Sequence, residues 1–153
     1  MRKIGFLGLG VMGLHMALNV DRKMDVEVVG FDVSEEQLRK YQAAGGPAAA
    51  SVEELYRTCD VILQMLPTHE IIRHSVEEAI RLGQPGTVIV DLSSAAPDII
   101  LDLYRKAKEA GMYLLDSPVS GGNPMAEAGT LSIMTGGDRR AFDAVEPGLA
   151  CMG

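Results

Sequence analysis

The chain has 153 residues, of which 47% are hydrophobic and 23% charged, and its formal net charge is −7. This length and composition suit one globular domain with a sizeable core, and they exclude a disordered chain. The acidic balance argues against nucleic acid and anionic membrane surfaces as partners, because both attract basic proteins. Two cysteines cannot form a disulfide framework and have no metal-ligand spacing. We therefore expect no metal site and a reducing compartment, either the cytoplasm or an organelle matrix.

The first element predicted along the chain is a strand that ends in a glycine-rich turn. The apolar run Lys3-Ile4-Gly5-Phe6-Leu7 is followed directly by Gly8-Leu9-Gly10-Val11-Met12-Gly13. In such a turn the first glycine allows a tight bend, the second removes a Cβ where a pyrophosphate approaches, and the third brings the helix close to the sheet. Free N–H groups and the helix dipole then face the anion. Alone, the pattern is weak evidence, since glycine triplets also occur in ordinary turns.

The second predicted strand, residues 26–31, strengthens this interpretation because it ends at Asp32. In dinucleotide-binding domains, a carboxylate about 20 positions after the glycines accepts hydrogen bonds from the adenosine ribose hydroxyls. A carboxylate there also repels a 2′-phosphate, so we expect NAD in preference to NADP. The alternative is that Asp32 only belongs to the cap region of the next helix, where Ser34 is the better cap.

Strand and helix patterns alternate through the rest of the chain. Helices are predicted at 11–20, 35–44, after the cap Ser51, at 69–82, from Pro97 to Gly111, and at 139–145 before Pro147. Further strands are predicted at 61–66, 87–90, 112–115 and 130–135. This alternation predicts a doubly wound α/β domain of the Rossmann type over residues 1–153, with a mostly parallel sheet. Ligands of such domains bind beyond the carboxyl ends of the strands.

A second glycine-containing segment, Asp116-Ser117-Pro118-Val119-Ser120-Gly121-Gly122, also follows a predicted strand. A hydroxyl group and unhindered N–H groups suit a carboxylate ligand. The alternative is an ordinary loop between a strand and a helix. A hydrolase with Ser120 as nucleophile is disfavoured, because none of the three histidines has the spacing of a catalytic triad.

Four motifs in the same order resemble the β-hydroxyacid dehydrogenase family, which includes 3-hydroxyisobutyrate dehydrogenase and tartronate semialdehyde reductase. The motifs are Gly5 to Gly13, Met65-Leu66-Pro67, Asp91-Leu92-Ser93-Ser94, and Asp116 to Gly122 with Gly129-Thr130-Leu131. The resemblance spans the whole chain and is closer to the 3-hydroxyisobutyrate type than to 6-phosphogluconate dehydrogenase. Four ordered motifs are far more specific than any one of them.

The resemblance implies roles for individual residues. It places Leu66, Pro67 and Thr68 on the adenosine side of the cofactor, and it places Ser94 near the nicotinamide and the substrate. It implies that Ser120, Gly121 and Gly122 hold the carboxylate of the substrate, with Ser120 near the reacting hydroxyl as the catalytic candidate of this chain. Met125 stands where the family usually has glycine, so the identity of the substrate stays open.

The resemblance further implies that the proton is taken by a lysine on a helix beyond the nucleotide domain, and no lysine follows Lys108 here. We therefore expect a fragment without the all-helical C-terminal domain that completes the substrate site and forms a homo-oligomer. The parent protein is expected to transfer a hydride between NAD and a small 3-hydroxy carboxylate or its semialdehyde, and this chain to bind cofactor without turnover. Two alternatives stay open: an NADPH-dependent semialdehyde or imine reductase of the same superfamily, and a non-catalytic dinucleotide sensor.

Overall fold

The computed structural model describes residues 1–153, and a parallel sheet of five strands forms its centre. The strands are β1 (Lys3–Leu7), β2 (Glu27–Phe31), β3 (Val61–Gln64), β4 (Val88–Asp91) and β5 (Tyr113–Asp116). Their order in the sheet is β2-β1-β3-β4-β5, and every neighbouring pair is parallel. The chain places β2 on one side of β1 and β3 on the other, so the winding reverses between β1 and β3. The predicted doubly wound α/β fold is confirmed.

Helices cover both faces of the sheet. They are α1 (Gly13–Lys23), α2 (Glu35–Ala43), α3 (Val52–Thr58), α4 (His69–Leu82), α5 (Pro97–Glu109), α6 (Gly122–Ala128) and α7 (Arg139–Leu149). The core on one face contains buried side chains of α1, α2, α6 and α7, and the core on the other contains those of α3, α4 and α5. The longest helix has 14 residues, and none combines the length and the apolar character that a membrane crossing requires.

Caps explain why several helices begin where the sequence predicts. The side chains of Ser34, Ser51 and Thr68 each accept a hydrogen bond from the backbone N–H three residues further on. Pro97 occupies the first turn of α5, where a missing N–H costs nothing. The first helix is an exception, since α1 begins at Gly13 and runs to Lys23 rather than spanning 11–20. The turn from Gly8 to Met12 therefore precedes the helix, and Gly13 is the first helical residue.

The prediction of a strand at 130–135 was wrong in extent. Only Ser132–Ile133 (β7) is a strand, and it pairs antiparallel with Val119–Ser120 (β6) in a separate ribbon. The segment between them contains only the seven-residue α6, which the sequence patterns do not predict. A segment this short does not make the crossover that parallel strands need, so the chain folds back on itself.

The prediction that the last helix ends before Pro147 was also wrong. Helix α7 continues to Leu149 with Pro147 inside it, and Ala150 N–H donates to the Glu146 carbonyl. Proline removes one helical hydrogen bond and disfavours the helix interior. Val145 and Leu149 lie one turn apart and are both buried in the core. Their packing outweighs the local cost of the proline.

Candidate functional site

A cleft of about 540 Å³ opens at the carboxyl ends of β1, β2 and β3. This is the point at which the winding of the sheet reverses, where doubly wound domains bind their ligands. Most of the predicted cofactor residues line it, namely Gly8, Gly10, Val11, Met12, Gly13, Asp32, Leu66 and Pro67. Thr68 and Ser94 are exposed and do not line the cleft. The hydroxyl of Thr68 accepts the N–H of Ile71 at 3.2 Å as the cap of α4.

The glycine turn packs too closely for side chains at two of its three glycines. Gly8 has φ +93°, and a Cβ there would overlap the carbonyl oxygen of Met65. A Cβ on Gly13 would overlap the carbonyl oxygen of Gly8, whereas a Cβ on Gly10 would meet nothing within 4 Å. The three glycines thus provide a tight bend, a close approach of helix to strand, and open space on the cleft side.

Four consecutive backbone N–H groups of this turn donate to no acceptor within the protein. They belong to Gly10, Val11, Met12 and Gly13. All four residues line the cleft. Unsatisfied N–H groups at the start of a helix bind anions, because the helix dipole adds a partial positive charge at the same place. The turn can therefore hold a phosphate or pyrophosphate group.

Asp32 lies where β2 ends and is hydrogen-bonded to the glycine turn. Its Oδ2 accepts the N–H of Leu9 at 2.7 Å, and its Oδ1 accepts the N–H of Ser34 at 2.8 Å. The cap of α2 is Ser34, whose hydroxyl accepts the N–H of Gln37 at 3.3 Å. Each carboxylate oxygen has a second lone pair, so Asp32 keeps acceptor capacity for a ribose hydroxyl in the cleft that it lines.

Two residues that hold the walls of the cleft were missed by the sequence reasoning. The Nε2 of Gln37 donates to the carbonyl oxygen of Leu9 at 3.0 Å. The hydroxyl of Ser93 accepts the N–H of Leu66 at 2.7 Å and so joins the ends of β3 and β4. Ser93 could have been singled out from its motif after a strand, but nothing in the spacing of Gln37 indicates its contact with the glycine turn.

The cleft has exposed apolar side chains at its rim, and the charged side chains of its lining are acidic. Val33 is 92% exposed and Ile71 is 45% exposed at its rim. Deeper in the cleft, the hydroxyl groups of Tyr56 and Ser75 are hydrogen-bonded at 2.9 Å. The charged residues of the lining are acidic, Asp32, Glu53 and Glu78, and no lysine or arginine lines it. Apolar side chains at the mouth suit a flat aromatic ring such as adenine.

Asp91 is fully buried at the end of β4, beside the cleft. Burial raises its pKa to about 6, hydrogen bonds from Ser93 and Gln64 oppose that rise, and the charge of Asp116 adds to it. Gln64 Nε2 donates to Oδ1 of Asp91 at 3.2 Å, while Oδ2 has no hydrogen-bond partner. The carboxyl of Asp91 therefore takes up a proton in a pH range in which an exposed aspartate stays ionised.

The predicted substrate residues lie outside this cleft. Ser120, Gly121 and Gly122 are exposed at the junction of β6 and α6, and the N–H groups of both glycines donate to no acceptor within the protein. Ser94 is exposed after β4. No group of histidine, cysteine, aspartate and glutamate side chains is placed to hold a metal ion.

Comparison with known families identifies the domain. The family model described as the NAD binding domain of 6-phosphogluconate dehydrogenase matches residues 3–153. The chain belongs to this family. The family match confirms the predicted resemblance for the NAD-binding domain. The cofactor of this domain is a nicotinamide dinucleotide. The cleft with its glycine turn is the feature of this domain that suits such a ligand.

Similar proteins are dehydrogenases about twice as long as this NAD-binding domain. It is 38% identical to 2-(hydroxymethyl)glutarate dehydrogenase of Eubacterium barkeri, over 99% of the chain and 51% of that protein. It is 37% identical to the mitochondrial 3-hydroxyisobutyrate dehydrogenase of Drosophila melanogaster, over 99% of the chain and 47% of that protein. The solved structure of Mycobacterium tuberculosis 3-hydroxyisobutyrate dehydrogenase with L-serine superposes with a TM-score of 0.93 at 34% identity, covering 100% of this chain and 52% of that one. The chain thus spans about half the length of the curated relatives it matches.

Proposed function

We propose that this domain is the NAD-binding half of a dehydrogenase that oxidises a small 3-hydroxy carboxylate or reduces the matching semialdehyde. The observation that carries the proposal is a single cleft that joins four unsatisfied N–H groups of the glycine turn to the carboxylate of Asp32. The N–H groups suit the pyrophosphate, and the carboxylate suits the ribose next to it. The similarity to hydroxyacid dehydrogenases supports the reaction class.

The charges of the cleft support NAD rather than NADP as the cofactor. A 2′-phosphate needs a cationic side chain near the ribose, and no lysine or arginine lines the cleft. Asp32 and Glu53 instead provide negative charge that repels a phosphate. Glu78 contributes less, because Arg81 outside the lining forms an ion pair with it at 2.7 Å.

The substrate class is proposed from chemistry that the relatives' names share. 2-(Hydroxymethyl)glutarate, 3-hydroxyisobutyrate and L-serine each carry a CH2OH group on the carbon next to a carboxylate. In the proposal, the free N–H groups of Gly121 and Gly122 bind that carboxylate, and Ser120 lies near the reacting hydroxyl. Ser94 and Thr68 are assigned to the nicotinamide and adenosine sides of the cofactor. A lysine of the remaining half of the protein would take the hydroxyl proton.

The proposal also includes the oligomeric assembly, the cellular compartment and the partners of the protein. The other half would be helical, would complete the substrate site and would join subunits into a homo-oligomer. The expected compartment is the cytoplasm, and the net charge of −7 supports the absence of nucleic acid and membrane partners.

Replacing Asp32 by serine tests the cofactor assignment. Asp32→Ser removes the acceptor for the ribose and the repulsion of a 2′-phosphate, so the preference for NADH over NADPH should fall by tenfold or more, on the order of 1.4 kcal/mol. Because Asp32 also holds the N–H of Leu9, both affinities can fall, and their ratio is the informative quantity. Asp25→Ser, at an exposed residue, is the matched control. An unchanged ratio would show that Asp32 does not contact the ribose.

Assays of NADH formation test the proposed reaction. The full-length gene product should reduce NAD with 3-hydroxyisobutyrate, L-serine or another acid of this class, whereas the 153-residue chain should show no turnover. The intact mass of the product from its source cells should be roughly twice 16.4 kDa. A clear rate from the chain alone would contradict the proposed division of the site between two halves.

A further inference from the structure

The glycine turn is tied to the start of α2 by a closed ring of four hydrogen bonds. Leu9 N–H donates to Asp32 Oδ2 at 2.7 Å, and Ser34 N–H donates to Asp32 Oδ1 at 2.8 Å. Gln37 N–H donates to Ser34 Oγ at 3.3 Å, and Gln37 Nε2 donates to the Leu9 carbonyl oxygen at 3.0 Å, which closes the ring. Both polar groups of the Leu9 backbone are therefore held by side chains that follow β2.

Gln37 donates to the glycine turn rather than closing a capping box. Ser34 and Gln37 have the spacing of a capping box, in which the glutamine side chain normally returns to the backbone N–H of the cap residue. Here Asp32 accepts the N–H of Ser34. The Oε1 of Gln37 is therefore not held at the cap, and its Nε2 donates to the Leu9 carbonyl oxygen instead.

The bond from Gln37 determines which way the next N–H group points. The carbonyl of Leu9 and the N–H of Gly10 belong to the same peptide plane, and in a trans peptide they point in opposite directions. With the carbonyl held toward α2, the N–H of Gly10 points away from α2. Gly10 lines the cleft, and its N–H has no acceptor within the protein.

The bond from Gln37 adds a restraint to the Leu9–Gly10 peptide that steric contacts at Gly10 do not supply. Gly10 has no Cβ, and nothing lies within 4 Å of the position a Cβ would take, so sterics do not fix its backbone. Leu9 is anchored on the other side by its fully buried side chain. The hydrogen bond from Gln37 therefore removes the conformational freedom that a pyrophosphate would otherwise have to restrict on binding.

We propose that Gln37 is a positioning residue for cofactor binding, which fixes the Leu9–Gly10 peptide so that the Gly10 N–H faces the pyrophosphate. This inference rests on the proposed binding of NAD in the cleft. It assigns Gln37 no contact with the cofactor. Its effect must appear with ligands that carry the pyrophosphate and must be absent with ligands that lack it.

The test compares NADH with adenosine on the wild-type chain and on Gln37→Ala. Affinity for NADH should fall by about threefold to tenfold, which corresponds to the loss of one ordinary hydrogen bond. Affinity for adenosine, measured by displacement of a weak fluorescent nucleotide analogue, should stay within twofold. Gln42→Ala is the matched control, since Gln42 is an exposed glutamine of the same helix, and it should change neither affinity.

A second variant tests whether the loss of NADH affinity comes from the missing hydrogen bond rather than from missing side-chain packing. Gln37→Glu keeps the size of the side chain but replaces the amide donor by a carboxylate facing the Leu9 carbonyl, so it should weaken NADH binding more than Gln37→Ala does. Unchanged NADH affinity in both variants, or an equal loss for NADH and adenosine, would overturn the role of Gln37. Failure of the wild-type chain to bind NADH would instead overturn the proposed function itself.

Discussion

Two glycine-containing loops follow strands of this domain, and they differ in how firmly they are held. The turn from Gly8 to Gly13 is confined by backbone atoms at its first and last glycines and by the side chains of Asp32 and Gln37. The loop of Ser120, Gly121 and Gly122 is exposed. A Cβ on Gly121 would meet the flexible side chain of Met125 at 2.7 Å, and one on Gly122 would meet only Pro124, at 4.0 Å.

Both loops offer N–H groups without acceptors, so the difference lies in their surroundings. The first loop lines a cleft together with residues that follow β2 and β3, among them Asp32 and Leu66. The second presents its N–H groups on an open surface. A binding site enclosed within one domain can be fixed before the ligand arrives, which lowers the entropic cost of binding. A loop that provides only one wall gains its final shape when the other wall is present.

The largest expected difference between the two loops is in how much an added methyl group lowers the free energy of unfolding. Gly8→Ala forces an alanine to φ +93° and into the carbonyl oxygen of Met65, so it should lower the free energy of unfolding by roughly 3 kcal/mol or more. Gly122→Ala meets no close atom and carries only the strain of φ +72°, about 1 kcal/mol. Urea unfolding of both variants measures the difference. Equal costs would show that the two loops are equally constrained.

An effect of similar size is expected at Asp91, which lies between the two loops. Its pKa rises from 3.8 to about 6 on folding, so the folded state holds the extra proton and stability falls as the pH rises through this interval, by roughly 3 kcal/mol. Asp91→Asn removes the titration. The variant should therefore gain stability relative to wild type between pH 4 and pH 7, whereas Asp25→Asn, at an exposed site, should not.

The quantity to compare is the difference between variant and wild type at each pH, measured by urea unfolding. Other carboxyl groups contribute to both proteins and cancel. Asp60 is one example with the opposite sign, since backbone hydrogen bonds from Lys3 and Arg2 outweigh burial and lower its pKa, and its contribution is lost as the pH falls. A difference that does not change with pH would contradict the raised pKa of Asp91.

The smallest expected changes in stability are at two buried tyrosines, one in the cleft and one outside it. The hydroxyl of Tyr56 is hydrogen-bonded to Ser75 in the cleft, so Tyr56→Phe should lower the stability by about 1 kcal/mol. The hydroxyl of Tyr41 is buried without a partner, so Tyr41→Phe should leave the stability unchanged or raise it by up to about 1 kcal/mol. Thermal unfolding midpoints report both changes. A larger loss at Tyr41 would show that its hydroxyl is bonded in solution.

The two loops also differ in how far the sequence could predict them. The glycine turn and Asp32 follow from local spacing, and caps such as Thr68 give α4 its predicted bounds, His69–Leu82. The contact between Gln37 and Leu9 joins residues far apart in the chain, so no local pattern encodes it. In the second half, β6 and β7 have two residues each and carry no periodic signal. Pro147 stops a helix by local preference, but the packing of Leu149 overrides it.

Cofactor binding by this domain is measured most directly by a calorimetric titration of the 153-residue chain with NADH. Because the glycine turn, Asp32 and Leu66 line one cleft within this chain, we expect saturable binding of one NADH per chain without any other part of the protein. A chain that is folded by circular dichroism and yet shows no binding would contradict it, and the cofactor site would then depend on residues outside the domain.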